Sequence, residues 1–272
     1  MTKVFRKLRL LKSSSESKTP RIEPRELELA KEIQKHLLPK HFPLSEVVEI
    51  GTLYEPSKHI GGDFYDVVQL DTHRIAYIIG DVSGHGIPAA LFMTQCMSLI
   101  RAHIKMDLNL AKVLEKTNKM LYGLAKPDMF ATVFIGIYDS FYNHLTYINA
   151  GHNPPLLVRT SWDIPTQDFH PLMMLTAEGM ALNCVPELHL EEKKLQLYAG
   201  DLVLLYTDGL IDATNVNGES FGESKLKELL TELKNESASI IAERMYEHLT
   251  NFTKDTKIEK DDMAALILKF KS

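Results

Sequence analysis

Long apolar runs are missing from this chain, and so is any excess of positive charge. No stretch approaches the roughly 20 apolar residues that span a bilayer, and the N-terminus has no hydrophobic secretory core. A soluble, cytoplasmic protein is therefore expected. The net charge of -5 speaks against a general nucleic-acid binder, which is usually basic over its domain, so no nucleic-acid partner is expected. Only two cysteines occur, Cys96 and Cys184, too few for a disulfide framework or a cysteine zinc site. Cys96 falls inside a helical pattern and reads as a buried thiol. What is present is ordinary for a globular protein: 272 residues, 44% hydrophobic and 25% charged, enough for one large domain or two small ones.

The most informative stretch is 61–88, GGDFYDVVQLDTHRIAYIIGDVSGHGIP. Residues 64–70 and 75–80 are rich in aromatic and β-branched side chains, and the polar run 71–74 separates them, which predicts a β-hairpin. A two-residue loop at Thr72-His73 pairs Asp71 with Arg74. It sets Asp63 opposite Val82, one residue from Asp81. Two carboxylates at one hairpin end repel each other and raise a pKa. A divalent cation between them removes that cost, so this end is a candidate metal site.

Along the rest of the chain, residues 1–12 carry five cations and no acid, with Val4, Phe5, Leu8 and Leu11 on one helical face. Membrane contact by so short a stretch is weighed against a solvated tail, and the tail is preferred. A serine-rich linker follows at 13–20. Residues 24–38 predict a helix with Pro24 in its first turn, Leu27, Ala30, Ile33 or Gln34, and Leu37 at helical spacing, and Pro39 as its stop. This helix either packs on the domain or pairs with a second copy. Helices are further expected after Pro88, over 110–124, after Phe221-Gly222 to about 233, and over 238–252. Strands are expected over 131–138, 144–150, 193–198, 202–207 and 263–270, with loop and short strands in 160–186. Helices come in consecutive pairs, which argues for an α+β fold: two mainly antiparallel sheets flanked by helix pairs. The organisation expected is a flexible 1–23, a leading helix 24–39 and a domain 40–272.

Acidic residues stand at four strand ends: Asp63, Asp81, Asp208 and the pair Asp261-Asp262. Carboxylates with carbonyls and water suit Mg²⁺ or Mn²⁺, and the lack of an obligate histidine argues against zinc. Spacing singles out only Asp63 and Asp81. Asp208 in Thr-Asp-Gly also reads as a plain turn residue, as do Asp139 and Asp201.

The ordered set GGDFYD, GDVSGHG with PAAL, AGHNPP, GDLVLLYTDGLIDA, FG and DDM before a last strand resembles the PPM metal-dependent serine/threonine phosphatases, in the bacterial SpoIIE/RsbU-like class. IQKHLLP resembles the helix leading into that domain. The resemblance covers the chain from about residue 33 and implies an αββα sandwich with two Mn²⁺ or Mg²⁺ ions between the sheets. It implies Asp81 as the bridging ligand, the Val82 carbonyl, Asp208 and Asp261 as further ligands, and Asp63 as a ligand or an acceptor for bound water. Asp63 and Asp81 are the catalytic candidates. The expected activity is hydrolysis of phosphoserine or phosphothreonine on a protein, by kinship an anti-sigma-factor antagonist in a partner-switching pathway. The alternative is a catalytically silent regulatory domain of the same fold. Residues 24–38 are the candidate surface for a regulatory protein or self-association. Three departures touch no proposed ligand: Asn183 for a frequent glycine, Asp212 for glutamate and Ala264 for threonine. Ser83 stands where other branches carry a catalytic-acid histidine, so neither His85 nor His152 is assigned that role.

Overall fold

The computed structural model describes residues 23–123, 128–160 and 171–271. The basic and serine-rich segments expected at 1–20, the end of the helix expected over 110–124, and Trp162 lie outside them.

Continuous apolar strands require cover on both faces, and the two central strands show how it is provided. Successive side chains of a strand point to opposite sides. In β10 (Met263–Phe270), Ala264, Leu266, Leu268 and Phe270 join the core between the sheets, while Met263, Ala265 and Ile267 join a second core under helices. In β9 (Leu202–Tyr206), Val203 and Leu205 face the first core and Leu202, Leu204 and Tyr206 the second.

β9 and β10 belong to a five-stranded antiparallel sheet with β1 (Val48–Glu55), β6 (Leu156–Val158) and β7 (Leu172–Met174), ordered β1-β10-β9-β6-β7. The other sheet is also antiparallel: β2 (Phe64–Gln69), β3 (Arg74–Val82), β4 (Ala131–Asp139), β5 (His144–Ala150) and β8 (Glu192–Gln196), in the order β2-β3-β4-β5-β8. α2 (Ile87–Ile104) and α3 (Leu110–Leu121) cover this sheet. α5 (Gly222–Leu233) and α6 (Ala238–Phe252) cover the first, and the short α4 (Gly209–Asp212) follows β9 directly. The two sheets with a helix pair outside each are the layers that the sequence led us to expect. Cys96 is fully buried in α2.

The leading helix, α1 (Pro24–Leu37), packs on the domain, and of the two candidates Gln34 turns inward at 5% exposed while Ile33 and Leu29 each stand 57% exposed.

The hairpin expectation is corrected by one residue. β2 pairs with β3 in the register Phe64↔Gly80 and Gln69↔Ile75. One step further, this sets Asp63 opposite Asp81 rather than Val82. The reason lies in the turn: the Asp71 carboxylate accepts from the backbone N–H of His73 at 2.9 Å and of Arg74 at 2.8 Å. That Asx arrangement adds a residue to the loop, and both Leu70 and Asp71 N–H point at the Arg74 carbonyl.

Candidate metal centre

Asp63, just before β2, is 1% exposed. Two glycines precede it because there is no room for side chains. A Cβ on Gly61 would lie 2.5 Å from Asp262 Oδ2, and one on Gly62 would lie 2.8 Å from the Val82 carbonyl oxygen. Asp262, 4% exposed, organises this corner. Its Oδ1 accepts from the N–H of Ser57 at 2.7 Å and the Ser57 hydroxyl at 2.8 Å, and its Oδ2 accepts from the N–H of Gly62 at 2.7 Å. Asp262 is thereby occupied with the loop, and its neighbour Asp261 is left at the rim.

Thr207, fully buried at the end of β9, was not singled out by the sequence. Its hydroxyl donates to Asp63 Oδ2 at 2.6 Å while accepting from the Ala264 N–H at 2.9 Å. It ties Asp63, in one sheet's lead-in, to β9 and β10 of the other. Asp208 follows Thr207, and its side chain makes no capping bond to α4, although the Gly209 N–H at the start of α4 acts on its carboxylate to lower its pKa. Gly209 has no Cβ to meet the carbonyl oxygen of Asp262, which presses against it.

The acids interact strongly. The Asp63 carboxyl is pushed well above the usual range, first by burial and then by Asp81, Asp262 and Asp208, with the Thr207 bond acting in the opposite direction. Asp81 is raised to about 7 by burial and by Asp208, although a hydrogen bond with Asp63 opposes the shift. Asp208 is raised by burial and Asp261. The Tyr54 phenol is also pushed up by burial and by Asp63 and Asp262, and its hydroxyl is buried with no hydrogen-bond partner.

Among the described residues, no ion pair involves Asp63, Asp81, Asp208 or Asp261. Uncompensated carboxylates beside the Val82 carbonyl, with an orphaned hydroxyl next to them, form an all-oxygen donor set that fits a hard divalent cation. Among the described residues no three His, Cys, Asp or Glu side chains close on one point. An ion held here by one or two of these carboxylates would keep water in its shell, as Mg²⁺ does in such sites.

The two histidines part company. His152, 4% exposed, spans the sandwich: Nε2 donates to the Tyr206 carbonyl at 3.1 Å and Nδ1 accepts from Thr132 Oγ1 at 2.9 Å. A carbonyl only accepts, which fixes that tautomer, and burial lowers the ring's pKa to about 4. His85 is exposed, with Lys58 Nζ at 3.3 Å from its Nδ1. The remaining sequence candidates behave as turns or supports. Asp139 accepts from the N–H of Phe141 and Tyr142. Asp201 accepts from Tyr198 N–H but is also paired, fully buried, with Arg159. Asn183 takes the left-handed conformation (φ 68°), with Nδ2 donating to the Met129 carbonyl.

Residues 71–271 match the family model described as Stage II sporulation protein E (SpoIIE). The chain belongs to the SpoIIE family. The matched span takes in Asp81, Val82, Asp208 and Asp261, and begins after Asp63. Among curated relatives, Protein IcfG of Synechocystis sp. is 29% identical, over 89% of this chain and 41% of its own. Phosphoserine phosphatase RsbU of Bacillus subtilis is 28% identical, over 90% of this chain and 70% of its own. The chain thus spans less than half the length of IcfG and 70% of that of RsbU. Among solved structures, the SiaA-PP2C domain of Pseudomonas aeruginosa superposes with a TM-score of 0.76 at 19% identity, covering 90% of this chain and 96% of that one. RsbX in complex with magnesium superposes with a TM-score of 0.57 at 18% identity, covering 83% of this chain and 96% of that one. The fold is that of the PP2C phosphatases. No helix among the described residues is long and apolar enough to cross a membrane.

Proposed function

We propose that this SpoIIE-family chain is a metal-dependent protein serine/threonine phosphatase. The observation that carries the reading is the pair of a buried Asp63 and a half-buried Asp81, side by side at the end of the β2–β3 hairpin. Both are pushed up by burial and by Asp208, with no ion pair to either among the described residues. The ligands proposed are Asp81, the Val82 carbonyl, Asp208, Asp261 and Asp63, holding two Mn²⁺ or Mg²⁺ ions. When bound, such ions supply Lewis acidity and a water that is nucleophilic at neutral pH. The chain's own part is positioning. Thr207 aims Asp63, Asp262 fixes the glycine loop, and neutral His152 locks the sheets at the level of the site. A cavity beside Asp261, walled by Ser57, Gly209, Asp212, Leu249 and Met263, gives a phosphorylated loop room to approach.

By kinship with RsbU the substrate proposed is a phosphorylated anti-sigma-factor antagonist in a partner-switching pathway. Residues 24–39 serve as a leading helix to a domain formed by 40–272. The exposed Leu29 and Ile33 of α1 support a regulatory protein or self-association there. The test is purified protein with Mn²⁺ and a phosphoserine protein. Wild type turns over and Asp81→Asn does not; equal, residual rates in both would sink the enzyme reading and leave a silent binding domain.

A further inference from the structure

Gln34 lies on α1, outside the carboxylate cluster, yet its amide both donates to and accepts from the loop that carries the cluster's most buried acid. Nε2 donates to the Gly61 carbonyl at 2.7 Å, and Oε1 accepts from the Gly61 N–H at 3.1 Å. A buried primary amide pairing with both groups of one residue acts like a β-bridge made by a side chain: it fixes the peptides on both sides of Gly61. The next N–H, that of Gly62, donates to Asp262, and the next residue is Asp63. Gly61 is therefore squeezed between Gln34 and the Asp262 carboxylate, with no space for even a methyl group. Gly62 has the Val82 carbonyl against it in the same way. The loop cannot shift without moving Asp63 or the Val82 carbonyl.

A second contact fixes where on the domain α1 lies. Arg101 on α2 forks onto the buried Asp66 of β2, with Nε 2.6 Å from Oδ2 and Nη2 2.9 Å from Oδ1, and Nη2 also donates to the Leu37 carbonyl at the end of α1 at 3.0 Å. The helix is anchored at its C-terminal end to the strand that follows Asp63 and, through Gln34, to the loop that precedes it.

We infer that Gln34 is a positioning residue for the metal centre: it latches α1 onto the Gly61-Gly62-Asp63 loop, so that the geometry of Asp63 and the Val82 carbonyl depends on α1 being docked. The inference rests on the reading of the cluster as a metal site. It gives residues 24–38 a physical route to the chemistry, since whatever lifts α1 withdraws Gln34 from Gly61.

The test uses the full chain and Mn²⁺ alone, with binding followed by loss of the free-ion EPR signal and, separately, the Mn²⁺ dependence of phosphatase activity. Outer supports of metal ligands typically contribute 10–100-fold to affinity. Gln34→Leu is expected to weaken Mn²⁺ binding by about tenfold or more, with activity recovered at saturating Mn²⁺. Gln34→Glu keeps an acceptor for the Gly61 N–H but, when ionised, has no donor for its carbonyl, and should shift affinity in the same direction; it serves if the leucine variant does not fold. Leu226→Ala, in the far core under α5, controls for plain destabilisation and should leave affinity within about twofold, because it supports no ligand. Unchanged Mn²⁺ affinity in both folded Gln34 variants overturns the inference, as does an equal loss in Leu226→Ala. Wild-type protein that binds no Mn²⁺ overturns the metal-centre reading itself, which is a different result.

Discussion

Replacing Asp81 by asparagine should stabilise the metal-free protein and destroy its response to metal. In the folded state the Asp81 carboxyl sits at about 7, raised from 3.8 by burial and by Asp208. A raised carboxyl contributes stability that is fully present below its unfolded value and is lost as pH rises through its folded value. Each unit is worth about 1.4 kcal/mol, so ionising this group in the fold costs up to about 4 kcal/mol by pH 8. Water entry and relaxation reduce that, and the expected gain for Asp81→Asn is about 1–3 kcal/mol. The assay is urea denaturation in EDTA at pH 8, where His152 is neutral in both states and drops out of the comparison. At pH 5 the gap should shrink by more than half, because wild-type Asp81 is by then protonated in the fold. In Mn²⁺ the order reverses: ligand at about 1,000 times its Kd adds about 4.1 kcal/mol to wild type and nothing to the variant. An Asp81→Asn protein less stable than wild type in EDTA at pH 8, or a gap that ignores pH, would refute the electrostatic account.

Two further outcomes follow from the same corner of the fold. Thr207→Val keeps the shape but removes the donor to Asp63 and strands the Ala264 N–H. It should destabilise the metal-free protein by about 1–3 kcal/mol in urea titrations, and a change within experimental error would deny Thr207 its linking role. His152, with its folded pKa lowered to about 4, costs nothing above pH 6.5 and lowers stability as pH falls from there towards 4, by up to about 3 kcal/mol. That loss opposes the Asp81 gain in the same window, so it is best read in the Asp81→Asn background, where His152→Gln should flatten the slope between pH 7 and 5. An undiminished slope in the double variant would assign the proton uptake elsewhere.

Much of the fold was legible because its strands are buried on two faces. MAALILKF and LVLLY read as strands without alternation, and the paired helices followed from 3.6-residue spacing. β1 was missed for a physical reason. It is an outer strand whose Gly51 lacks a side chain because the Ala238 carbonyl at the start of α6 lies against it, and its polar positions mask the alternation. The hairpin was found but slipped by one residue, because an Asx turn at Asp71 depends on side-chain hydrogen bonds that composition does not reveal. At the site, Asp63 and Asp81 could be paired by counting, whereas Asp208 and Asp261 needed the motif set, since strand ends far apart in sequence carry no register between them. Thr207 and Gln34 were illegible as functional residues. One reads as the end of an apolar strand and the other as one of two candidates for a helix face; only their long-range partners give them a role.

His152 and Arg159 stand at opposite ends of the sandwich, and each crosses between its layers: His152 from Thr132 of β4 to the Tyr206 carbonyl, Arg159 from the end of β6 to the Gln196 carbonyl of β8. At the His152 end the acids are divided, with Asp63 and Asp81 on one layer and Asp208 and Asp261 on the other. An ion shared across that division would also be a mechanical strut, adding stiffness at an end where neutral His152 crosses between the layers, opposite the end that the charged Arg159 ties. Amide exchange at the β3 and β9 ends should therefore slow on metal loading more than exchange near Arg159, making the stiffness of one edge of the sandwich a direct gauge of how full the site is.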